Sequence, residues 1–230
     1  MQFANLKWNN EEPYSLDFCD VYYSSDDGLA ETEYVFIKHN QLVERFSSLH
    51  AATFTIIETG FGTGLNFFFF LLQFLQHASS QAALRFISIE RYPLKPEDFI
   101  KANLRWPMFG EFATQLNTPY AILKDGLNIF SICQNRILLD LWIGDVSECL
   151  PNIKTPTDAW FLDGFAPSKN GDMWSDHLFI EMARLSKSNT TFATFTSAGQ
   201  VRRQLEAVGF NVSKAIGFGK KREMLHGLYR

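Results

Sequence analysis

Cysteine is scarce in this 230-residue chain. Cys19, Cys133 and Cys149 are odd in number, far apart and without a CxxC pair. That excludes a disulfide scaffold and a cysteine zinc site, and makes a reducing, cytoplasmic setting the expectation. Long apolar runs are also missing. The longest, Leu65–Leu75, is interrupted by Asn66 and Gln73 and is too short to cross a bilayer. Residues 1–10 carry no basic stretch followed by an apolar one, so no secretory signal is expected. The five histidines (His39, His50, His77, His177, His226) show no ligand spacing, and no metal is expected. There is no internal repeat, low-complexity tract or linker.

What is present is apolar and aromatic. Hydrophobic residues make up 46% of the chain, 23 residues are phenylalanine, and 20% are charged, a balance that suits a packed core. The net charge of −4 is unevenly spread. Residues 1–50 hold nine acidic and three basic side chains, whereas residues 181–230 hold nine basic and three acidic ones. The C-terminal end can therefore present a basic face to phosphates, although ordinary solvated charge explains the clustering equally well.

From residue 54 on, short apolar runs alternate with helical patterns. Strands are expected at Phe54–Thr59, Leu84–Glu90, Arg136–Trp142, Asp158–Leu162 and Thr190–Thr196. Helices are expected at Leu65–His77, Pro96–Asn103, Val146–Leu150, Ser175–Leu185 and Gly199–Val208. Two closing strands, Phe210–Ile216 and Glu223–Tyr229, read as an antiparallel hairpin at one edge. The pattern predicts an α/β fold, a Rossmann-like, mostly parallel sheet covered on both faces, the plan of class I methyltransferases. Residues 1–50 read as an extension packed on that sheet and residues 51–230 as one methyltransferase unit. In the extension, Phe18–Tyr23 and Thr32–Ile37 look like strands flanking a turn at Ser24–Gly28, and Gln41–Phe46 looks helical.

Four groups fall at the carboxyl ends of expected strands, where open α/β sheets bind ligands. The sharpest is Glu58-Thr59-Gly60-Phe61-Gly62-Thr63-Gly64, between a strand and a helix. Gly60, Gly62 and Gly64 let the backbone turn tightly and approach a ligand. Glu58 would repel a pyrophosphate but suits the amino group of a methionyl moiety, which favours S-adenosylmethionine over NAD; a purely structural glycine turn is the plain alternative. Glu90, 26 residues after Gly64, suits two ribose hydroxyls without choosing the cofactor. Asp145 suits the exocyclic amine of an adenine and equally suits a helix N-cap. In Asp163-Gly164-Phe165-Ala166-Pro167, Asp163 would face the methyl donor, and Phe165 and Pro167 would form an apolar wall for a base; an Asp-Gly turn alone is the simpler reading.

At these residues the chain resembles a known family. ETGFGTGLNF (58–67), WFLDGFAPSKNGDMW (160–174), TFTSAG (194–199), GFGKKREML (217–225) and DVYYSSDDGLAETEYVF (20–36) are similar to the signature blocks of the tRNA 5-aminomethyl-2-thiouridine methyltransferase family, over roughly residues 8–227. The resemblance implies S-adenosylmethionine as methyl donor and the wobble-uridine aminomethyl group of tRNA as acceptor. It implies that Glu58, Gly60, Gly62, Gly64, Glu90 and Asp145 fall in the donor site and Asp163 in the catalytic centre. Tyr23, Phe165 and Trp174 are then candidates to hold the uracil. Lys169, Arg202, Arg203, Lys220, Lys221 and Arg222 are candidates for tRNA phosphates. Bifunctional members of the family continue into an FAD-dependent oxidoreductase; this chain ends at Arg230, so no FAD is expected in it. The competing readings are a methyltransferase for another amine or RNA, an NAD(P)-dependent oxidoreductase, and a non-catalytic RNA-binding module.

Overall fold

The computed structural model describes residues 1–24 and 27–230. The chain opens with a small antiparallel sheet of β1 (Leu6–Asn9), β2 (Glu12–Ser15) and β3 (Asp20–Val21). Helix α1 (Gly28–Thr32) is started by Asp27, whose carboxylate accepts a hydrogen bond from Ala30 N. It runs on into a wider, π-type stretch over Glu33–Lys38, and α2 (Leu42–Ser47) follows. The strand expected at Thr32–Ile37 is therefore helical. A short aromatic and β-branched run reads alike in a strand and in a buried helix. Here Val35, Phe36 and Ile37 are all buried, so no alternation existed to separate the two. The strand expected at Phe18–Tyr23 shrinks to the two residues of β3. The turn expected at Ser24–Gly28 includes Ser25 and Asp26, which lie outside the described residues.

The remaining elements are β4 (Thr53–Thr59), α3 (Leu65–His77), β5 (Ala83–Glu90), α4 (Pro96–Leu104), α5 (Gly110–Tyr120), β6 (Gly126–Ile132), β7 (Ile137–Ile143), α6 (Val146–Cys149), β8 (Thr157–Leu162), α7 (Asp176–Leu185), β9 (Ser186–Thr194), α8 (Gly199–Ala207), β10 (Phe210–Ile216) and β11 (Glu223–Tyr229). They form an eight-stranded sheet in the order β10-β11-β9-β8-β4-β5-β7-β6. The strands from β9 to β7 in that order run parallel. The hairpin β10–β11 closes one edge, antiparallel to β9, as its sequence pattern predicts. At the other edge β6 pairs antiparallel with β7, and neither β6 nor α5 was foreseen.

Alternation along the strands builds two cores. Phe54 and Ile56 of β4 and Phe161 of β8 face α3, with Phe67, Phe70, Phe74 and Phe86. Ile57, Trp160 and Leu162 face the opposite side, with Leu178, Phe179 and Met182 of α7. The parallel run places the carboxyl ends of β4, β5, β7 and β8 on one rim. The strand order reverses between β4 and β8, and a crevice opens where the crossovers diverge.

Phe46 of α2 is fully buried and makes edge contacts with Phe54, Phe70 and Phe74 at 5.2–5.3 Å between centroids. These contacts fasten the N-terminal segment to the sheet. Phe46→Ala should cost about 3–5 kcal/mol, transfer and cavity terms together. Urea unfolding of the two proteins checks this, with a lower midpoint expected for the variant.

Candidate active site

The turn after β4 has little side chain in it because its neighbours leave no room. Gly60 has φ +85°, and a Cβ there would lie 3.0 Å from Gly164 Cα. Gly62 has φ +54°, and its Cβ would lie 3.2 Å from the Tyr22 ring. Left-handed backbone and close approach together select glycine at both positions. The Gly60 N–H donates to Ile89 O at 2.8 Å, which stitches the turn to β5.

Carboxylates stand around this turn. Glu90, at the end of β5, accepts from Gly62 N at 2.8 Å and Tyr92 N at 2.9 Å. Burial raises its carboxyl above the ordinary range, and the backbone N–H groups counter part of that rise. Asp145 caps α6, accepting from Ser147 N at 2.9 Å and Ser147 Oγ at 2.6 Å, and pairs with Arg91 at 3.0 Å. The N-cap reading of Asp145 is thus realised, and the residue also lines the cavity. Asp163 follows β8 and opens into the cavity. Burial pushes its carboxyl up to about 7, against the opposing pull of the Gly164 N–H and Asn66; Glu31 raises it further and Lys221 lowers it.

The residue that joins these groups is Asn66, in the first turn of α3. Its Nδ2 donates to Asp163 Oδ2 at 2.6 Å and to Glu58 Oε1 at 3.0 Å. Its Oδ1 accepts from the Thr32 hydroxyl at 2.8 Å, which fixes the amide orientation. Glu58, 1% exposed, also accepts from Ser88 Oγ at 2.6 Å. Burial holds the Glu58 carboxyl well above the usual range, and the charge of Asp163 adds to that.

A cavity of about 430 Å³ opens over this rim. Of the residues singled out from sequence, Gly60, Gly62, Glu90, Asp145, Asp163, Tyr23 and Phe165 line it. Glu58, Gly64, Pro167, Lys169 and Trp174 are not on its wall. Glu58 lies one layer below, behind Asn66. Gly64 starts α3 and faces Phe61 and Phe68. Trp174 is buried and donates to Phe165 O at 3.0 Å, and so pins the loop from beneath. Lys169 pairs with Asp20 at 3.1 Å and donates to Cys19 O at 2.7 Å. Of the basic candidates, Lys220 and Lys221 reach the mouth, whereas Arg202, Arg203 and Arg222 do not.

The N-terminal segment supplies more of the wall than its sequence suggested. Phe18 stacks on Phe165 at 4.5 Å, and Tyr22 meets the same ring edge-on at 5.3 Å. Glu31 and Thr32 close the far end. Asn66 carried a readable signal: a polar residue beside a run of buried phenylalanines needs a buried partner. Carboxylates, bare backbone and the apolar pair Ile89 and Val146 on one wall fit a ligand with a cationic end and a flat base. Among the described residues no cluster of His, Cys, Asp or Glu is arranged to hold a metal ion, and no helix is long and apolar enough to cross a membrane.

Comparison with known proteins identifies the family and the fold. Residues 107–230 match the family model described as S-adenosyl-L-methionine-dependent methyltransferase. The tRNA 5-methylaminomethyl-2-thiouridine biosynthesis bifunctional protein MnmC of Methylobacillus flagellatus is 47% identical, over 98% of this chain and 35% of its own length. The protein of the same name from Chromobacterium violaceum is 50% identical, over 97% of this chain and 34% of its own. The chain thus spans about a third of the length of these curated relatives. The crystal structure of MNMC2 from Aquifex aeolicus shares the fold, with a TM-score of 0.78 and 19% identity over 100% of this chain and 71% of that one.

The raised carboxyl of Asp163 links the site to stability. A folded-state value near 7, above an unfolded value near 3.9, favours the folded chain most when the group is protonated. That contribution is full below about pH 4 and is lost as the pH rises through about 7. Asp163→Asn should therefore be more stable than the parent protein at about pH 8, with the difference shrinking toward pH 4. Denaturant unfolding of both proteins at the two pH values checks the sign.

Proposed function

Because the chain belongs to a family of S-adenosyl-L-methionine-dependent methyltransferases, we propose that it methylates the primary amine of 5-aminomethyl-2-thiouridine at the tRNA wobble position, giving the 5-methylaminomethyl form. The observation that carries the proposal is a cavity whose rim gathers Glu90, Asp145 and Asp163 opposite a bare glycine turn. The substrate in this proposal comes from the relatives at 47–50% identity, which are named as proteins of 5-methylaminomethyl-2-thiouridine biosynthesis. With a methyl donor as the family's co-substrate, the oxidoreductase reading falls away. Under the proposal residues 1–50 are an extension and residues 51–230 the catalytic unit, working in the cytoplasm on tRNA. An FAD-dependent oxidoreductase is the class of partner that prepares the aminomethyl group, and no flavin is assigned to residues 1–230.

The residues divide the work. The bound donor supplies a methyl group on a positively charged sulfur. Gly60 and Gly62 admit it to the backbone, Glu90 takes the ribose hydroxyls and Asp145 the adenine amine. Glu58 acts through Asn66 and does not touch the donor directly. Asp163, held by Asn66, orients the substrate nitrogen and accepts its proton, directly or through water; a group near 7 suits that task at neutral pH. The freed lone pair then forms the N–C bond in line as the C–S bond breaks, and sulfur leaves neutral. Phe165, braced by Phe18 and by Trp174 below, offers a face to the uracil, with Tyr23 beside it. Lys220 and Lys221 meet phosphates at the mouth.

Incubation with S-adenosylmethionine and tRNA bearing the aminomethyl group, followed by nucleoside mass analysis, should give the nucleoside heavier by one CH2. No mass change would sink the proposal. At saturating donor, Asp163→Ala should lower turnover on the order of 10²–10⁴-fold. A near-parental single-turnover rate in that variant would remove Asp163 from the mechanism.

A further inference from the structure

We propose that Glu31 is the receptor for the substrate's ammonium group, and that Lys221 holds its place in the free protein and is displaced when the substrate binds. The inference rests on the amine-methylation reading and names the residue that selects the amine. Glu31 lies in α1 and Lys221 in the loop between β10 and β11, and both line the cavity. Lys221 Nζ is 2.5 Å from Glu31 Oε1 and 4.3 Å from the centroid of the Phe195 ring.

The two partners are unequal. The Glu31 side chain is 14% exposed and that of Lys221 44%. The sheltered anion is a fixed part of the wall, and the cation reaches in from solvent. An ion pair with one half-solvated partner contributes little to stability and exchanges readily. The loop does not depend on it, because Tyr34 OH donates to Ile216 O at 2.9 Å and Gly217 N to Arg222 O at 3.2 Å.

Glu31 is also coupled to the reacting end of the cavity. The neighbouring Thr32 bonds Asn66, which bonds Asp163. The charge of Glu31 raises the Asp163 carboxyl and that of Lys221 lowers it, so the three groups share one field. Two carboxyls facing one space are both ionised only when a positive charge lies between them; otherwise one is held protonated. Lys221 supplies that charge in the free protein, and the substrate ammonium supplies it in the complex. One carboxylate cannot both anchor an ammonium and remove its proton without losing its hold. Glu31 therefore anchors while Asp163 accepts. A neutral or anionic substituent at the same position would leave Glu31 paired with Lys221 and gain nothing, which is selection by differential charge. Once displaced, Lys221 joins the exposed Lys220 at the mouth, free to meet a phosphate.

Calorimetric titration of 5-aminomethyluridine and its neutral analogue 5-hydroxymethyluridine, with S-adenosylhomocysteine present, tests this without requiring turnover. The parent protein should prefer the amine by about tenfold or more, the range of a charge-assisted hydrogen bond. Glu31→Gln should bind both nucleosides alike. Lys221→Gln should bind the amine several-fold more tightly, because a competing cation has gone; a purely structural tie predicts the opposite sign. The inference is overturned by an amine preference that survives in Glu31→Gln, by no preference in the parent, or by weaker amine binding in Lys221→Gln. Should Glu31→Gln fail to fold, Lys221→Gln decides alone. Turnover on aminomethyl-bearing tRNA is measured separately: a parent protein that prefers the amine yet transfers no methyl group would sink the proposed reaction and leave the Glu31 assignment standing.

Discussion

One amide holds the centre of this protein together. Asn66 donates to both Glu58 and Asp163 from a position with almost no access to water. Buried carboxylates are costly unless their charge is hydrogen-bonded or neutralised. Here hydrogen bonding is partial: burial still dominates at Glu58, Glu90 and Asp163, and all three are pushed upward. The rim is therefore electrostatically incomplete, and a cationic ligand is the natural complement. Perturbed carboxyls of this kind mark sites because folding alone gains nothing from them.

The fold exists to gather that rim. Parallel strands send their carboxyl ends to one side, and the reversal of order between β4 and β8 opens the crevice there. The sheet alone makes an open trough. The N-terminal segment turns it into a cavity by laying Phe18, Tyr22, Tyr23, Glu31 and Thr32 across the top. It is fastened by the Phe46 cluster below and by Arg45, which donates to Asp158 O at 2.9 Å and Thr191 Oγ1 at 2.8 Å. Donor chemistry on the rim and acceptor chemistry under the cover thus come from different parts of the chain, which meet at Asn66 through the hydrogen bond from the Thr32 hydroxyl.

Much of this was legible in the sequence because strand and helix periods differ strongly in an α/β chain. Helix α3 matched its expected range residue for residue, and both closing strands did the same. The glycine turn and the strand-end acids were legible because each needs a particular residue type at a particular corner. Legibility failed where local pattern and tertiary role part company. Val35-Phe36-Ile37 has strand-like residues but lies buried on all sides, where a helix is equally content. Glu58 sits at the expected strand end, yet its side chain points into the layer beneath, a direction that spacing does not give. Trp174, a candidate to hold the uracil, braces the loop from inside, and Phe18, given no site role from sequence, stacks on Phe165. Asn66 stood in plain view as an interruption of an apolar run, and its meaning depended on which groups lay across from it.

The central claim is that burial keeps Asp163 largely protonated below about pH 7 until a cation arrives. Calorimetric titration with S-adenosylmethionine at about pH 6, in two buffers of different ionisation enthalpy, measures the protons exchanged on binding. Net proton release is expected there, and its disappearance in Asp163→Asn would assign it. A binding enthalpy independent of buffer in the parent protein, or net proton uptake, would contradict the account.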